Sequence, residues 1–192
     1  MLEPTYRRIK RALIDGIWPG GTRLEALRLA EEFGVSMTPV RDSLNQLVGE
    51  GLVDLTPGEG FRVPILTEQG LRDILHVNLV LLETVTHKEW RLPGASDIED
   101  WPHDYAGRVT ASFSAIAAGS SNRFLAALID RISDRLHHVR IHEPDILPDA
   151  AEILSEIEAS LRGSRNQRSS ALQQYHKKCQ QHAFRLINFL TE

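Results

Sequence analysis

The chain has 192 residues, of which 42% are hydrophobic and 25% are charged, and its formal net charge is −4. This composition is typical of a folded globular protein and excludes a disordered chain or a fibrous repeat, and the length suits one ordinary domain or two small ones. The longest apolar stretch, Val77 to Leu82, is too short to span a bilayer, and the N-terminus lacks the layout of a signal peptide. We therefore expect a cytoplasmic protein without membrane contact.

Charge and cysteine content indicate no partner by themselves. The net charge is about −1 over residues 1–66 and about −3 over the rest of the chain. Attraction to nucleic-acid phosphates depends on the local face rather than on the sum, so DNA binding has to be argued from particular basic residues. The single cysteine, Cys179, has no partner for a disulfide or a CxxC site, and we expect it to be an ordinary helix residue.

The first predicted element is a helix that starts near Tyr6. Apolar residues recur at helical spacing from Tyr6 to Leu13, whereas Arg7 and other basic residues crowd the opposite side. Residues 16–21 are rich in glycine and are expected to end the helix. Residues 22–24 can then form a short strand.

A helix, a tight turn and another helix are predicted next. Leu27, Ala30 and Phe33 line one face of a short second helix, and Gly34 supplies the positive φ that a tight turn needs. Ser36 can cap a third helix through its hydroxyl group.

The third predicted helix has one apolar stripe and several polar faces. Pro39 falls in its first turn, where the missing N–H group costs little. Val40, Leu44 and Leu47 form the expected buried stripe. The polar residues on the other faces are Thr38, Arg41, Asp42 and Asn45.

A β-hairpin follows the third helix directly. Leu52–Leu55 is predicted to be a strand, residues 56–60 a turn, and Phe61–Pro64 the returning strand. A hairpin in this position makes a wing. Its turn contains Gly58 and Gly60.

The remaining segments have helical patterns, at about residues 67–90, 105–118, 123–138, 149–162 and 168–190. Residues 92–104, 142–148 and 163–167 are expected to be loops. The predicted fold class is mainly α. A winged helix-turn-helix of three helices plus the hairpin occupies residues 1–66, and an all-α helical bundle for effector binding or dimerisation occupies residues 67–192. Core or dimer contacts are expected from Leu71, Ile74, Leu75, Leu79, Leu82, Phe184, Ile187 and Leu190.

The residue types in the third helix and the wing suit DNA recognition. In a helix-turn-helix the second helix of the motif enters the major groove with its N-terminal residues at the base edges. Arg41 can bind a guanine edge or a phosphate, and Thr38 can donate to either. An exposed arginine is usually just solvated and a glycine-rich hairpin is usually just a turn, so only the ordered combination is specific. The predicted DNA-contacting residues are Arg7, Ser36, Met37, Thr38, Pro39, Arg41, Asn45, Gly58, Gly60 and Arg62.

The stretch LAEEFGVSMTPVRDSL at residues 29–44, followed by Leu47, the sequence EGLV at residues 50–53 and Gly60, resembles the DNA-binding domain of the GntR family of bacterial regulators. The resemblance implies a homodimer on a short palindromic operator, most often a repressor, with an effector-responsive C-terminal domain. It also implies that Arg41 is a principal DNA contact, Thr38 a nearby one and Gly60 the wing-tip residue. The family usually has arginine where this chain has Met37, so a different operator preference or affinity is expected.

The C-terminal helices resemble the FadR-type effector domain known as FCD, through Asn122, Leu125 and the stretch at residues 160–162. The region between Trp90 and Tyr105 is short for that subfamily, which predicts a missing helix. Many members hold a metal with an aspartate and three histidines, and a small carboxylate binds to it. At those positions this chain has Val109, Phe113, Leu154 and His176. Aliphatic and phenyl groups are not metal ligands, so we expect no metal cofactor.

Three functions remain open. The leading hypothesis is a DNA-binding regulator whose C-terminal domain binds a small effector. The second is a regulator whose C-terminal domain only dimerises or docks a protein. The third is a metal-dependent enzyme on the histidine-bearing helices, where His138 and His142 have i, i+4 spacing. No nucleophile–base pair, phosphate loop or paired-carboxylate motif accompanies those histidines, so an enzyme is not expected.

Overall fold

The computed structural model describes residues 2–86 and 101–191. The chain divides into two compact units, with the boundary between Leu66 and Thr67. Within the described residues it forms helices and one small antiparallel sheet, so the predicted mainly α fold is confirmed. None of the described helices combines the length and the apolar character that crossing a membrane requires.

The N-terminal unit has the order of elements of a winged helix-turn-helix. Its elements are α1 (Leu2–Ile14), β1 (Arg23–Leu24), α2 (Ala26–Phe33), α3 (Met37–Glu50), β2 (Asp54–Thr56) and β3 (Gly60–Arg62). The strand order is β1-β3-β2, and both pairs are antiparallel. Phe61 in the central strand lies opposite Leu24 on one side and Leu55 on the other. The β2–β3 hairpin forms the wing.

The turn between α2 and α3 is set by Gly34. Its φ of 66° lies in the left-handed region, and its backbone N–H ends α2 by bonding to carbonyl groups of the last turn. Ser36 stands at the N-cap position of α3 as expected, but its side chain makes no capping hydrogen bond, so the prediction of a hydroxyl cap is wrong. Pro39 lies in the first turn of α3, where it replaces no helical hydrogen bond.

The core of the N-terminal unit joins α1 to the helix-turn-helix. Val40, Leu44 and Leu47 are completely buried, which confirms the predicted stripe of α3. Two expectations fail. Leu27 is 56% exposed, because Leu29 and Ala30 face the core of this unit instead. The strand before the wing is shorter than predicted, since Leu52 and Val53 precede β2 as buried core residues.

The C-terminal unit is all-α over the residues described. Its helices are α4 (Glu68–Thr86), α5 (Tyr105–Ala118), α6 (Arg123–Ile146), α7 (Ala150–Ser160), α8 (Arg165–Gln181) and α9 (Ala183–Thr191). Asp104 caps α5 with a 2.7 Å hydrogen bond from the N–H of Gly107, and Asn122 caps α6. The end of the predicted helix at 67–90, and the helix expected to be missing between Trp90 and Tyr105, lie outside the described residues.

The end of α6 differs from the prediction. Residues 142–146, predicted to be a loop, continue α6 with Pro144 inside the helix. The buried side chains of Arg140, Glu143 and Ile146 hold this turn against the core, while Pro144 faces solvent. Burial on the inner face therefore overrides the helix-breaking tendency of the proline.

The C-terminal end is two helices rather than one. His182 has φ −103° and ψ 9°, and it separates α8 from α9. A capping box between Ser164 and Gln167 starts α8 at Arg165, earlier than predicted. Of the residues expected in core or dimer contacts, Leu71, Leu75 and Leu82 are buried, whereas Phe184 is 60% exposed.

Candidate nucleic-acid interface

One face of α3 presents three exposed polar side chains. Thr38, Arg41 and Asn45 are exposed, and their i, i+3, i+7 spacing places them on one side of the helix. Their side chains make no hydrogen bond or ion pair to another residue in the part of the chain that the structure describes. The buried stripe of α3 fixes the helix from the other side. The full hydrogen-bonding capacity of these three side chains therefore remains available to a ligand.

Most other basic side chains of the N-terminal unit are held by nearby acidic groups. These ion pairs, with N–O distances of 2.7, 2.7, 3.1 and 3.7 Å, join Arg7 to Glu3, Arg11 to Asp15, Lys10 to Glu50 and Arg62 to Glu59. Arg7 and Arg62 are both predicted DNA contacts, and each of them already pairs with a carboxylate of the protein. Exposed ion pairs are weak, so either arginine can exchange its carboxylate for a phosphate.

Two further arginines were missed by the sequence analysis. Arg28 on α2 and Arg23 on β1 are exposed, and neither has an ion pair or a side-chain hydrogen bond among the described residues. The pattern around Arg28 is misleading, because Glu31 and Glu32 follow it at the spacing of helical ion pairs. Both arginines are candidates for phosphate contacts.

The start of α3 adds polar groups. The side chain of Ser36 accepts no capping hydrogen bond, and the first N–H groups of a helix lack intrahelical partners. Met37, the first residue of the helix, is 40% exposed. Pro39 is half-buried, so it offers only part of its ring to a ligand.

The wing has a glycine tip. Gly58 and Gly60 have φ values of 83° and 85°, which side chains with a Cβ rarely adopt. A Cβ atom at either glycine would meet nothing within 4 Å, so backbone conformation and not space requires glycine there. Arg62 lies opposite Arg23 and Asp54 in the sheet, and its guanidinium donates to the Gly21 carbonyl at 3.1 Å.

The last turn of α3 is braced by α1. The Lys10 ammonium lies 3.1 Å from the carboxylate of Glu50. Burial acts to raise the pKa of Glu50, but the hydrogen bond from Tyr6 and the charge of Lys10 outweigh it and lower that pKa. Burial raises the pKa of the Tyr6 hydroxyl. Glu50 therefore stays ionised near neutral pH and keeps the end of α3 attached to α1.

The C-terminal unit contains a buried polar cluster, formed by Tyr105, Arg140, Glu143, Tyr175 and Cys179. The Glu143 carboxylate accepts hydrogen bonds from Tyr105 at 3.0 Å and from Tyr175 at 2.9 Å. Arg140 is fully buried, lies 3.3 Å from the Tyr175 hydroxyl and donates to Thr110 at 2.9 Å. Burial raises the pKa values of Glu143, Tyr175 and Cys179. Cys179 is thus a buried thiol, as expected of an ordinary helix residue.

The positions compared with the FCD metal ligands are buried and mostly apolar. Phe113 stacks on His176 with ring centroids 5.7 Å apart, and both residues are buried, as are Val109 and Leu154. Burial lowers the pKa of His176 to about 3, so its ring is neutral. Nδ1 of this ring lies 2.7 Å from the Leu172 carbonyl oxygen. The described residues contain no group of three histidine, cysteine or acidic side chains placed to hold a metal ion.

Comparison with known proteins identifies the N-terminal unit. Residues 3–63, about a third of the chain, match the family model described as bacterial regulatory proteins, gntR family. Residues 3–63 therefore form a GntR-type winged helix-turn-helix. The matched residues contain α1, the helix-turn-helix and the wing.

Curated relatives extend the similarity beyond the winged helix-turn-helix. The uncharacterized HTH-type transcriptional regulator YdhC of Bacillus subtilis (strain 168) is 26% identical over 152 residues, covering 71% of this chain and 68% of that protein. The HTH-type transcriptional repressor GlaR of Escherichia coli (strain K12) is 26% identical over 148 residues, covering 67% of each. The chain therefore spans about two thirds of the length of these relatives.

Solved structures show the same fold over nearly the whole chain. A GntR transcriptional regulator from Rhodococcus sp. RHA1 superimposes with a TM-score of 0.73 at 17% identity, covering 95% of this chain and 97% of that one. McbR/YncC of E. coli gives a TM-score of 0.66 at 18% identity, covering 96% and 97%. The combination of a GntR-type winged helix-turn-helix with a helical C-terminal domain is thus the fold of this chain.

Proposed function

We propose that this protein is a transcriptional regulator of the GntR family, and that it is a homodimeric repressor that reads a palindromic operator with α3. The observation that carries the proposal is the free face of α3, where Arg41, Thr38 and Asn45 have no side-chain partner among the residues that the structure describes. Unpaired guanidinium and amide groups at the exposed face of a recognition helix suit the hydrogen-bonding edges of the major groove. Arg41 binds a guanine edge or a phosphate, and Thr38 and Asn45 contact bases or the sugar-phosphate backbone.

The remaining predicted contacts surround this face. In the proposal, Ser36 and Pro39 approach the backbone at the start of α3, Met37 faces the groove, and Arg7 exchanges Glu3 for a phosphate. Gly58 and Gly60 bring the wing backbone close to the minor groove, with Arg62 adding positive charge there. Phosphate contacts position the domain, whereas the base contacts select the sequence.

In the proposal, the N-terminal domain, residues 1–66, binds DNA, and residues 67–192 form the dimer. A dimer with two-fold symmetry presents two recognition helices to two half-sites, which accounts for a palindromic operator. The name of GlaR as a repressor, together with its 26% identity over 67% of this chain, favours repression.

The helical domain is proposed to pass the signal of a small effector to the DNA-binding domains. The effector binds best to a dimer conformation in which the two recognition helices are spaced unsuitably for the operator. By stabilising that conformation it lowers the affinity of the protein for DNA. The domain offers an open groove of about 500 Å³, whose lining includes Trp101, His103, Arg108, Glu158 and Arg162. Arg108 and Glu158 form an ion pair with each other, so His103 and Arg162 are the groups of this lining that suit a polar ligand with an anionic part.

A second candidate is a regulator whose helical domain only dimerises or docks a protein. The observation that favours it is the stack of Phe113 on His176 beneath the guanidinium of Arg140, which lies 4.9 Å from the Phe113 ring centre. This arrangement fills part of the domain interior with the protein's own side chains. Thermal-shift measurements over a panel of metabolites separate the two candidates, because a ligand that binds the folded protein raises Tm. A saturable rise supports effector binding, and no rise across the panel supports the second candidate.

Elemental analysis addresses the proposal that the helical domain works without a metal. Purified protein is expected to contain no stoichiometric transition metal. Stoichiometric zinc or nickel that disappears in His176→Ala would overturn that expectation and would revive a metal-dependent activity.

The principal experiment measures fluorescence anisotropy of the full-length protein on DNA from its own upstream region and on scrambled DNA. Tight, salt-sensitive binding to the first only, with two protomers per duplex by sedimentation, is the expected result. Equal and weak binding to both DNAs would contradict the proposal. A single protomer per duplex would contradict its homodimeric part alone.

A further inference from the structure

We propose that Met37 reads the 5-methyl group of a thymine in each operator half-site. The proposal rests on the proposed function, since it needs α3 to enter the major groove. It goes further by assigning a base preference to a particular residue. The half-site is then expected to contain a thymine about two base pairs from the position contacted by Arg41, because one α-helical turn rises about 5.4 Å and successive bases lie about 3.4 Å apart.

The placement of Met37 is the first step. Met37 is the first residue of α3 and is 40% exposed, and it is not among the residues that pack on the core of the N-terminal unit. It precedes Arg41 by four residues, which places the two side chains on the same face of the helix, one turn apart. A pose that brings the free guanidinium of Arg41 to the DNA therefore also brings Met37 to it.

The position of Met37 within the helix directs it to bases and not only to phosphates. The N-terminal residues of a recognition helix are the ones that reach base edges. The polar neighbours Ser36 and Thr38 flank Met37 in sequence and can satisfy phosphate oxygens. The apolar side chain of Met37 has no such phosphate contact to make, so we expect it to contact base edges in the major groove.

The chemistry of the thioether selects the base. Methionine donates no hydrogen bond and its sulfur is a weak acceptor, so burying it against a guanine, adenine or cytosine edge would leave polar atoms of the base unsatisfied. Thymine alone presents an apolar methyl group in the major groove. The unbranched and polarisable side chain of Met37 can adapt to that methyl group.

The expected effect is modest and measurable. Burying one methyl group against an apolar side chain corresponds to about a fourfold change in affinity. Replacement of thymine by uracil removes that methyl group and leaves the Watson–Crick edge unchanged. The wild-type protein should therefore bind about fourfold more weakly to a half-site with uracil at the contacted position.

The experiment uses the full-length protein and two steps. Selection from a random duplex pool first gives the preferred half-site for the wild type. Each thymine of that half-site is then replaced singly by uracil, and affinities are measured for the wild type, Met37→Ala and Met37→Leu. Ile17→Ala serves as the matched control, because Ile17 is 65% exposed and lies outside α2 and α3.

The proposal expects one thymine whose replacement weakens the wild type and Ile17→Ala by about fourfold, leaves Met37→Ala unaffected and keeps most of its effect in Met37→Leu. A half-site without thymine, or uracil substitutions that do not affect the wild type, would overturn the proposal. An equal effect on Met37→Ala and the wild type would overturn it as well. If no sequence is enriched at all and Arg41→Ala binds as the wild type does, the proposed function itself fails.

Discussion

The Tyr6 hydroxyl on α1 donates a 2.7 Å hydrogen bond to the carboxylate of Glu50 in the last turn of α3. The two residues are 44 positions apart in sequence, and the bond is partly shielded from solvent. It fixes the end of the recognition helix that lies farthest from the predicted base contacts. Its contribution should therefore be found in stability and not in operator selectivity.

Tyr6→Phe removes only this hydroxyl group. We expect the free energy of unfolding to fall by about 1.5 kcal/mol, because the lost hydrogen bond is made to a charged group. Arg7→Ala, which removes an exposed ion pair of the same helix, should cost less than about 0.5 kcal/mol. Urea unfolding of both variants measures the difference. Equal losses would show that the Tyr6 hydrogen bond is no stronger than a surface contact.

Two glycines of the helix-turn-helix should respond oppositely to alanine. Gly34 has φ 66°, so Gly34→Ala is expected to lose about 1 kcal/mol of stability through backbone strain. Gly49 lies inside α3, and Gly49→Ala should gain up to about 1 kcal/mol from higher helix propensity. A Cβ atom at either position would meet nothing within 4 Å, so steric clashes do not contribute to the difference between the two variants. Thermal unfolding of the pair tests it, and a change of the same sign in both would contradict this account of the turn.

The buried polar cluster should behave as a coupled unit. Arg140 and Glu143 are both buried and both contact the Tyr175 hydroxyl. Arg140→Met or Glu143→Gln alone leaves the other buried group without the opposite charge that offsets its own, and each should cost about 3–5 kcal/mol. The double variant should lose clearly less than the sum of the two. Urea unfolding of all four proteins measures the coupling, with Arg135→Met as the exposed control on the same helix. Additive losses of stability in the double variant would contradict the coupling of Arg140 and Glu143.

The neutral state of His176 predicts an acid-dependent loss of stability. Burial, with a smaller contribution from the charge of Arg140, lowers the pKa of this ring from 6.5 to about 3. Below about pH 6.5 the unfolded chain therefore binds a proton at this ring, whereas the folded chain does not. The contribution of neutral His176 to the free energy of unfolding is complete above that pH and is lost as the pH falls.

Comparison with His176→Gln isolates this effect. The difference in unfolding free energy between the wild type and His176→Gln should shrink by about 2 kcal/mol between pH 7 and about pH 5. The raised pKa of Glu143 acts with the opposite sign in the same range, but it is present in both proteins and largely cancels. Urea unfolding at the two pH values measures the difference. A pH-independent difference would show that His176 is not buried in its neutral form.

Local sequence signals were enough to predict the fold of the helix-turn-helix. Gly34, the periodic stripe of Val40, Leu44 and Leu47, and the glycine-rich wing turn each act within a few residues, so the fold of this unit could be predicted. Side-chain pairing was not predictable in the same way. Arg28 makes no ion pair within the described residues although two glutamates follow it at helical spacing, since that spacing permits an ion pair without enforcing it.

The helix boundaries of the helical domain depend more on tertiary contacts, so they were harder to predict. Pro144 signals a loop in isolation, but Arg140 and Glu143 on the inner face of α6 join a network with Tyr105 and Tyr175, and this network keeps the turn helical. The partners of that network are more than 30 residues away in sequence. Its existence therefore could not be inferred from periodicity.

The central claim is that Arg41 on the free face of α3 reads DNA. The most direct test measures the operator affinity of the wild type, Arg41→Ala and Arg11→Ala by fluorescence anisotropy at two salt concentrations. Arg11 is the matched control, because it is exposed in the same unit and paired with Asp15. Arg41→Ala should lose about 1–3 kcal/mol of binding free energy and part of its selectivity over scrambled DNA, and Arg11→Ala should bind as the wild type does. Equal affinities for all three proteins on both DNAs would contradict the claim.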